Sequence, residues 1–337
     1  MNLASRPKIA VVGCGALGSF YAARLARAGH EVHCLLRSDY DAVRARGLRV
    51  EDAAGGFTVR PGVAQDPAEI GPSDWVIIGL KTTANPHFQS LIAPLIGPRT
   101  AVLTLQNGLG NEERLAQLFG HERIFGGLCF VCLNRTEPGV VRHIAHGRIV
   151  MGEFGRPITA RARTMAGWWG DAGIPCDLAE DLELAHWHKL VWNVPFNGLG
   201  VAGAAGLESV KAGRLLDPEA IGPCLATNDL LGNSEWEQQV RELMYEVIGA
   251  AIAQGMKLPE GVAEEQIERT REMAAYRAST LIDFERGLPL EIESLFAEPL
   301  RRGVARGARC PRLGNLCQLL RELEAVRAAR SRAAGFR

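Results

Sequence analysis

The sequence predicts an α/β fold in which a doubly wound, mostly parallel sheet is followed by an all-helical C-terminal domain. In the first 120 residues, short apolar runs suited to buried strands alternate with helix-forming stretches. Between residues 124 and 152 the pattern changes to strands joined by glycine turns, which indicates an antiparallel extension of the same sheet. Beyond about residue 180 long helical periodicities replace the strands. The predicted domains are residues 1–180 and 181–337.

The individual elements follow from apolar periodicity and from the residues that end each run. A strand over Lys8–Val12 stops at glycines, a helix follows it, and a second strand is expected over 31–36. Buried strands are predicted over 75–80 and 100–105, with helices over 86–95 and Asn111–Phe119. The second domain has five predicted helices, over 182–199, 235–255, 261–275, 290–306 and 312–330.

Composition narrows the class of protein. At 337 residues and 36.5 kDa the chain is long enough for about two domains with full apolar cores. Its 38 basic residues balance 38 acidic ones, which argues against a nucleic-acid-binding protein. No apolar stretch approaches the ~18 residues of a membrane span and no secretory signal is evident, so we expect a cytoplasmic protein without a membrane partner. The eight scattered cysteines suit reduced thiols.

A glycine-rich turn joins the first strand to the first helix. Its pattern, G-x-G-x-x-G within a strand–helix–strand unit of about 30 residues, is typical of dinucleotide binding. The first glycine permits a tight turn, the second lets the backbone approach a pyrophosphate, and the third lets helix and strand pack closely. The sequence therefore predicts a Rossmann-type domain, the alternative being a tight turn without a ligand. The predicted phosphate-binding residues are Gly13, Cys14, Gly15, Ala16, Leu17 and Gly18.

The residue after the second predicted strand indicates which dinucleotide binds. Enzymes that use NAD place an acid there for the ribose hydroxyls, whereas this chain has Arg37. Because a guanidinium pairs with a 2′-phosphate, NADP(H) is the predicted cofactor. A solvated surface arginine remains the alternative.

Six segments, taken in chain order, resemble the ketopantoate reductases (2-dehydropantoate 2-reductases). They are GCGALG, GHEVHCLLR, GLKTTANP, LQNGLGNEE, PGVVRHIAHGRIVMGE and WHKLVWNVPFN, and the resemblance runs from about residue 8 to 325. Its most specific parts are QNG near residue 107 and W-x-K-L-x-x-N-x-x-x-N near residue 189. The resemblance implies a Rossmann-type domain, a helical domain and a cleft between them, where NADPH reduces a 2-keto acid. Ketopantoate reduction is a step toward pantothenate and coenzyme A.

A polar stripe runs along the predicted helix over 182–199. Lys189, Asn193 and Asn197 are four residues apart, so they share one face of a helix whose other positions are mostly apolar. One interpretation is a narrow solvent-facing edge. The other is a catalytic face, on which Lys189 is the general acid and the asparagines hold the substrate and orient the lysine. A positioned ammonium can both stabilise the charge that develops on a carbonyl oxygen and deliver a proton.

The family resemblance assigns further site residues. The family has a serine and an acid twelve residues apart, and Ser279 and Glu291 match that spacing. The resemblance implies that Ser279 binds the substrate carboxylate. It also implies that Glu291 hydrogen-bonds both the reacting hydroxyl and Lys189. Without the resemblance, Glu291 is an ordinary first-turn helix acid. Asn107 and Lys81 follow predicted strands at the edge where open α/β sheets bind ligands. The family uses both near the cofactor or substrate, whereas a turn asparagine and a surface lysine are the structural alternatives.

The sequence thus predicts NADPH-dependent reduction of a small 2-keto acid, with 2-dehydropantoate first. The alternatives are the same scaffold acting on another 2-keto or 3-hydroxy acid, and a catalytically silent NADP(H)-binding regulatory protein. Long apolar C-terminal helices permit a homodimer. We assign no metal site, because Cys129 and Cys132 have no second pair at ligand spacing, and His186 and His188 do not share a helix face.

One position departs from the family pattern. After the glutamate the family usually continues E-I-D-x-x-N-G, whereas this chain has Phe296 and Ala297 at the last two positions. Phe296 is either repacked core or part of a reshaped wall behind the pocket. The second interpretation predicts a preferred 2-keto acid that differs from ketopantoate in its side chain.

Overall fold

The computed structural model describes residues 7–53, 55–273 and 275–335. The chain forms two compact units, Met1–Ala185 and His186–Arg337. The predicted domains meet at residue 180 and are assigned different roles, cofactor binding and substrate binding. That division stays a prediction. No helix in the described ranges has the length and hydropathy needed to cross a membrane.

The first unit is built on one large sheet. Six parallel strands lie side by side in the order β5-β2-β1-β6-β7-β8, and the direction of winding reverses between β1 and β6. This is the strand order of a doubly wound dinucleotide-binding sheet. Its strands, with four others of the described sheet, are β1 (Lys8–Val12), β2 (Glu31–Leu35), β3 (Leu48–Glu51), β4 (Phe57–Val59), β5 (Gly62–Ala64), β6 (Ser73–Ile78), β7 (Ile96–Thr104), β8 (Ile124–Glu137), β9 (Val140–Glu153) and β10 (Cys176–Leu178).

The predicted antiparallel extension is confirmed. Strands β8 and β9 form a long antiparallel hairpin that turns at Pro138 and Gly139. β9 then pairs in parallel with β3 and β10, and β3 carries β4 antiparallel at the far edge. The sheet is therefore parallel where the dinucleotide motif lies and mixed beyond β8.

Helices cover both faces of this sheet. They are α1 (Ala16–Arg27), α2 (Tyr40–Arg46), α3 (Pro67–Ile70), α4 (Phe88–Ile92), α5 (Asn111–Phe119) and α6 (Ala160–Asp171). Alternate residues of β1 enter different cores: Ile9 packs with apolar side chains of α1 and α6, and Ala10 packs with those of α4 and α5. Burial on both faces explains why the strand is a continuous apolar run.

The described part of the second unit is helical, as predicted. After α7 (Leu182–Ala202), which begins in the first unit, the α-helices are α8 (Leu207–Ala212), α9 (Thr227–Leu231), α10 (Ser234–Ala253), α11 (Val262–Arg271), α12 (Ser279–Glu285), α13 (Glu298–Ala305) and α14 (Pro311–Gly335). Helix α10 packs against α9, α11, α13 and α14.

One predicted helix is wrong in detail, and proline explains the difference. The stretch 86–95 forms a 3₁₀ turn over Thr82–His87, then α4, then a second 3₁₀ turn over Ala93–Leu95. Pro86 and Pro94 lack the N–H that one continuous helix needs. The helix predicted over 290–306 is confirmed over 292–305, and it contains a π-helical turn over Glu293–Ala297 before α13.

Candidate cofactor and substrate sites

The glycine turn leaves open space at the start of α1. Gly13 has a φ of 91°, and a Cβ built on it would lie 2.4 Å from the backbone nitrogen of Leu80. A Cβ on Gly18 would lie 2.3 Å from the carbonyl oxygen of Gly13. A Cβ on the exposed Gly15, in contrast, would meet no atom within 4 Å. Two glycines thus close the turn against the sheet, while the third leaves the helix terminus accessible to a pyrophosphate.

The electrostatics of this turn suit an anion. Gly15 is the N-cap residue of α1, no side chain caps that terminus, and the first turn of the helix contains no acid. The N–H groups there carry the partial positive charge of the helix dipole. The pKa of the Cys14 thiol is raised well above its ordinary value. The largest cause is a hydrogen bond with Cys34, and the second is burial. Cys14 therefore stays neutral and adds no negative charge.

The segment that follows β2 carries both signs of charge in different environments. Arg37 and Ser38 are exposed, whereas Asp39 is buried. The Asp39 carboxylate accepts hydrogen bonds from Arg135 Nη1 at 2.7 Å, from Gly139 N at 3.0 Å and from Ser38 Oγ at 2.9 Å. These three donors leave Asp39 little capacity to accept a further hydrogen bond from a ribose hydroxyl. Arg37 is therefore the charged side chain that is accessible to a cofactor after β2.

A buried network of side chains links the loops after β6 and β7. Gln106 Nε2 donates to Asn85 Oδ1 at 2.8 Å, and Asn85 Nδ2 donates to Asn111 Oδ1 at 2.8 Å. Asn111 Nδ2 in turn donates to the carbonyl oxygen of Asn107 at 3.1 Å. The exposed Lys81 immediately precedes the turn that contains Asn85. The network thus connects the segments of the two predicted site residues, Lys81 and Asn107, at the carboxyl edge of the sheet.

The stripe on α7 is not a solvated edge along its length. Lys189 is half-buried, but only 7% of Asn193 and 4% of Asn197 are exposed. Asn197 Nδ2 donates to the carbonyl oxygen of Asn193 at 3.0 Å. Its Oδ1 accepts from Thr280 Oγ1 at 2.8 Å and from Thr280 N at 3.3 Å. Asn197 therefore fixes the start of α12, where the exposed Ser279 is the first residue.

Two hydrogen bonds hold the same helix against α11 in the second unit. The Trp192 ring stacks on Phe196 with centroids 4.9 Å apart, and its Nε1 donates to Thr270 Oγ1 at 2.8 Å. Gln266 Nε2 donates to the carbonyl oxygen of His188 at 3.1 Å. These bonds tie α7 to α11 on both sides of Lys189, which limits the positions its side chain can reach.

Glu291 lies just before the π-helical turn, and Phe296 lies within it. Glu291 directly precedes the helical residues and is only 5% exposed, an environment in which a carboxylate needs hydrogen-bond donors or a cation. Phe296 is fully buried, and its ring lies 2.8 Å from where a Cβ on Gly198 would stand. The ring therefore occupies the space above α7 that Gly198 leaves, beside the Asn197 position. This contact favours packing as the role of Phe296.

Several residues of these sites were missed by sequence analysis. Asp39, Asn85, Gln106, Asn111 and Arg135 are polar residues whose partners are distant in the chain or lie in another loop. Asn85 in GLKTTANP and Gln106 in QNG lie within segments that carry the family resemblance. Their closeness in sequence to the predicted site residues Lys81 and Asn107 was the only signal available for them. Nothing local in the sequence indicates the contact between Arg135 and Asp39.

The chain matches two protein-family models. Residues 9–156 match the model described as "Ketopantoate reductase PanE/ApbA", and residues 218–324 match "Ketopantoate reductase PanE/ApbA C terminal". It is 36% identical over 323 residues to the 2-dehydropantoate 2-reductase of Nostoc sp. (strain PCC 7120), which covers 94% of this chain and 95% of that one.

Solved structures resemble it over the same extent. A crystal structure of 2-dehydropantoate 2-reductase from Geobacter metallireducens GS-15 is 43% identical, with a TM-score of 0.85, over 94% of this chain and 99% of that one. One from Methylococcus capsulatus is 33% identical, with a TM-score of 0.82, over 95% and 97% of the two chains.

Proposed function

The chain belongs to the ketopantoate reductase family, and from that membership and the geometry of its residues we propose that it reduces 2-dehydropantoate to pantoate with NADPH. As a member of this family it is an NAD(P)-dependent oxidoreductase that acts on a CH–OH group and its ketone. The choice of NADPH, the substrate and the roles of individual residues are the proposal.

The first unit would hold the cofactor. The open space at Gly15 and the uncapped start of α1 fit a pyrophosphate, and the exposed Arg37 fits a 2′-phosphate. Lys81 and Asn107, on loops joined by the network through Asn85, would contact the nicotinamide half or the substrate. When bound, the reduced cofactor supplies a hydride to the keto carbon.

The second unit would supply the proton and hold the substrate. As the keto carbon is reduced, negative charge develops on its oxygen, where the Lys189 ammonium would stabilise it and then donate a proton. Glu291 would hydrogen-bond the same hydroxyl and keep Lys189 charged. Ser279, at the start of α12, would bind the substrate carboxylate, with Asn193 beside it on α7.

The burial of the stripe on α7 is the observation that carries this proposal. Two nearly inaccessible asparagines next to a half-buried lysine are unsuited to a solvated helix edge, where exposed charged side chains are usual. One of the asparagines also fixes the segment that presents Ser279. Such an arrangement suits a positioned acid, and it disfavours the regulatory alternative.

The test follows oxidation of NADPH and NADH by the purified protein with 2-dehydropantoate and a panel of other 2-keto acids. We expect Lys189→Ala to lower kcat by a factor of ~10² to 10⁴, with little change in NADPH binding. Lys211→Ala is a matched control, because Lys211 is an exposed helical lysine paired with Glu208 and Glu235. Near-normal turnover in Lys189→Ala would contradict the assignment of the acid.

A further inference from the structure

We infer that Arg135 is a second arginine that binds the 2′-phosphate of NADP(H), oriented for that purpose by the buried carboxylate of Asp39. The inference rests on the proposed use of NADP(H). It adds to Arg37, which follows β2, a residue of β8, a strand that is four positions from β2 in the sheet order and 96 residues from Asp39 in the chain.

The β8–β9 hairpin brings Arg135 to this place. Its turn closes on the segment that leads into α2, where the N–H of Gly139 donates to Asp39 Oδ2 at 3.0 Å. A Cβ on Gly139 would lie 3.0 Å from Cγ2 of Val43, so the turn and α2 are in direct contact. Because Arg135 stands just before this turn, its guanidinium reaches Asp39 at 2.7 Å and Ser38 Oγ at 3.4 Å.

Arg135 has hydrogen-bonding capacity left after these contacts. Only its Nη1 is engaged with protein partners in the described ranges, and 42% of its side chain is exposed. A guanidinium carries five N–H donors in a planar fork. Ser38, whose Oγ lies 3.4 Å from Arg135 Nη1, is exposed, and so is Arg37, the residue before it in the chain. Two guanidinium groups and a hydroxyl at one strand end are the donors that a phosphate dianion requires.

The ion pair also changes what Asp39 can do. Only 4% of the Asp39 side chain is exposed, and unpaired it would repel a phosphate held by Arg37. Paired with Arg135 it is neutralised, and the net positive charge of Arg37 remains. A carboxylate released from Arg135 would become an acceptor for a ribose 2′-hydroxyl, the group that NAD presents at this position. Arg135 therefore affects the preference between cofactors as well as affinity.

Binding of cofactor fragments tests this without turnover. Calorimetry compares adenosine 2′,5′-bisphosphate with adenosine 5′-monophosphate, which lacks only the 2′-phosphate. We expect the unmodified protein to prefer the bisphosphate. Arg135→Ala should weaken bisphosphate binding about tenfold or more and leave the monophosphate nearly unchanged. Arg142→Ala is the control, because Arg142 is exposed on β9 of the same hairpin and pairs with Glu51.

The outcomes separate this inference from the proposed function. Equal binding of the two fragments by the unmodified protein would refute the use of NADP(H). A preference that survives in full in Arg135→Ala, or an equal loss for both fragments, would overturn the role of Arg135 and leave the proposed function standing. If Arg135→Ala does not fold, Arg135→Lys replaces it in the test. The lysine ammonium still neutralises Asp39 but lacks the planar set of N–H donors with which a guanidinium binds a phosphate. A severalfold loss of preference then supports the inference, and an unchanged preference contradicts it.

Discussion

The bond between Asn197 and Thr280 gives the sharpest test of how the second unit prepares the substrate site proposed for it. Thr280→Val removes a hydroxyl and preserves the shape of the side chain, so Asn197 Oδ1 keeps only the longer bond from the Thr280 backbone. Thr280 is 3% exposed, so water cannot readily replace the lost donor. We expect a loss of about 1 kcal/mol in the free energy of unfolding. Asn197→Ala removes three bonds and should cost about 3 kcal/mol.

A double-mutant cycle in urea measures whether the two side chains act together. Because they share one bond, the combined variant should be about 1 kcal/mol more stable than the sum of the single effects predicts. The KM for 2-dehydropantoate should rise in both single variants, since Ser279 adjoins Thr280. Ser209→Ala is the control: it removes the 3.3 Å bond to Leu216 N elsewhere in this unit and should leave KM unchanged. Additive stability changes with an unaltered KM would refute this reasoning.

Three further predictions concern the glycine turn, the cofactor and the departure from the family pattern. Gly15→Ala should fold normally but bind NADPH more weakly. Gly18→Ala should lower the melting temperature, because its Cβ would lie 2.3 Å from the carbonyl oxygen of Gly13. Equal melting temperatures for the two variants would contradict this. Arg37→Asp should weaken NADPH binding by ~2 kcal/mol or more, measured by fluorescence titration, with no such loss for NADH. Phe296→Ala should cost about 3–5 kcal/mol of stability. If Phe296 only packs, the kcat/KM ratio between 2-dehydropantoate and unbranched 2-keto acids stays constant in that variant.

The fold was predictable where long-range context adds little to local pattern. The strand Lys8–Val12 and the helix Asn111–Phe119 have the predicted bounds, because a buried strand is a continuous apolar run and a helix ends at Gly120. The strands β3, β4 and β5 were not predicted. They have three or four residues each, which is too short for an alternation such as that of Leu48–Glu51 to be distinguished from chance.

The candidate site was predictable to the extent that its residues share a helix or a motif. The spacing of Lys189, Asn193 and Asn197 gives their common face directly. Spacing does not give the partner, and Asn197 bonds to Thr280, 83 positions later. The sequence left a solvated edge open as an interpretation of the stripe, and it was the burial of both asparagines that weakened it.

The segment after β2 shows why residue type alone is an incomplete guide to a binding site. Arg37 and Asp39 are two positions apart, and the sequence offers both a base and an acid to the ribose edge of a dinucleotide. The tertiary structure distinguishes them: Arg37 is exposed, and Asp39 is buried under three donors from the hairpin turn and from Ser38. Because the hairpin supplies Arg135, the charge of this edge depends on the antiparallel extension as well as on the parallel sheet. A substitution at the hairpin turn is therefore expected to alter cofactor preference while the glycine turn and the pyrophosphate contacts proposed for it stay intact.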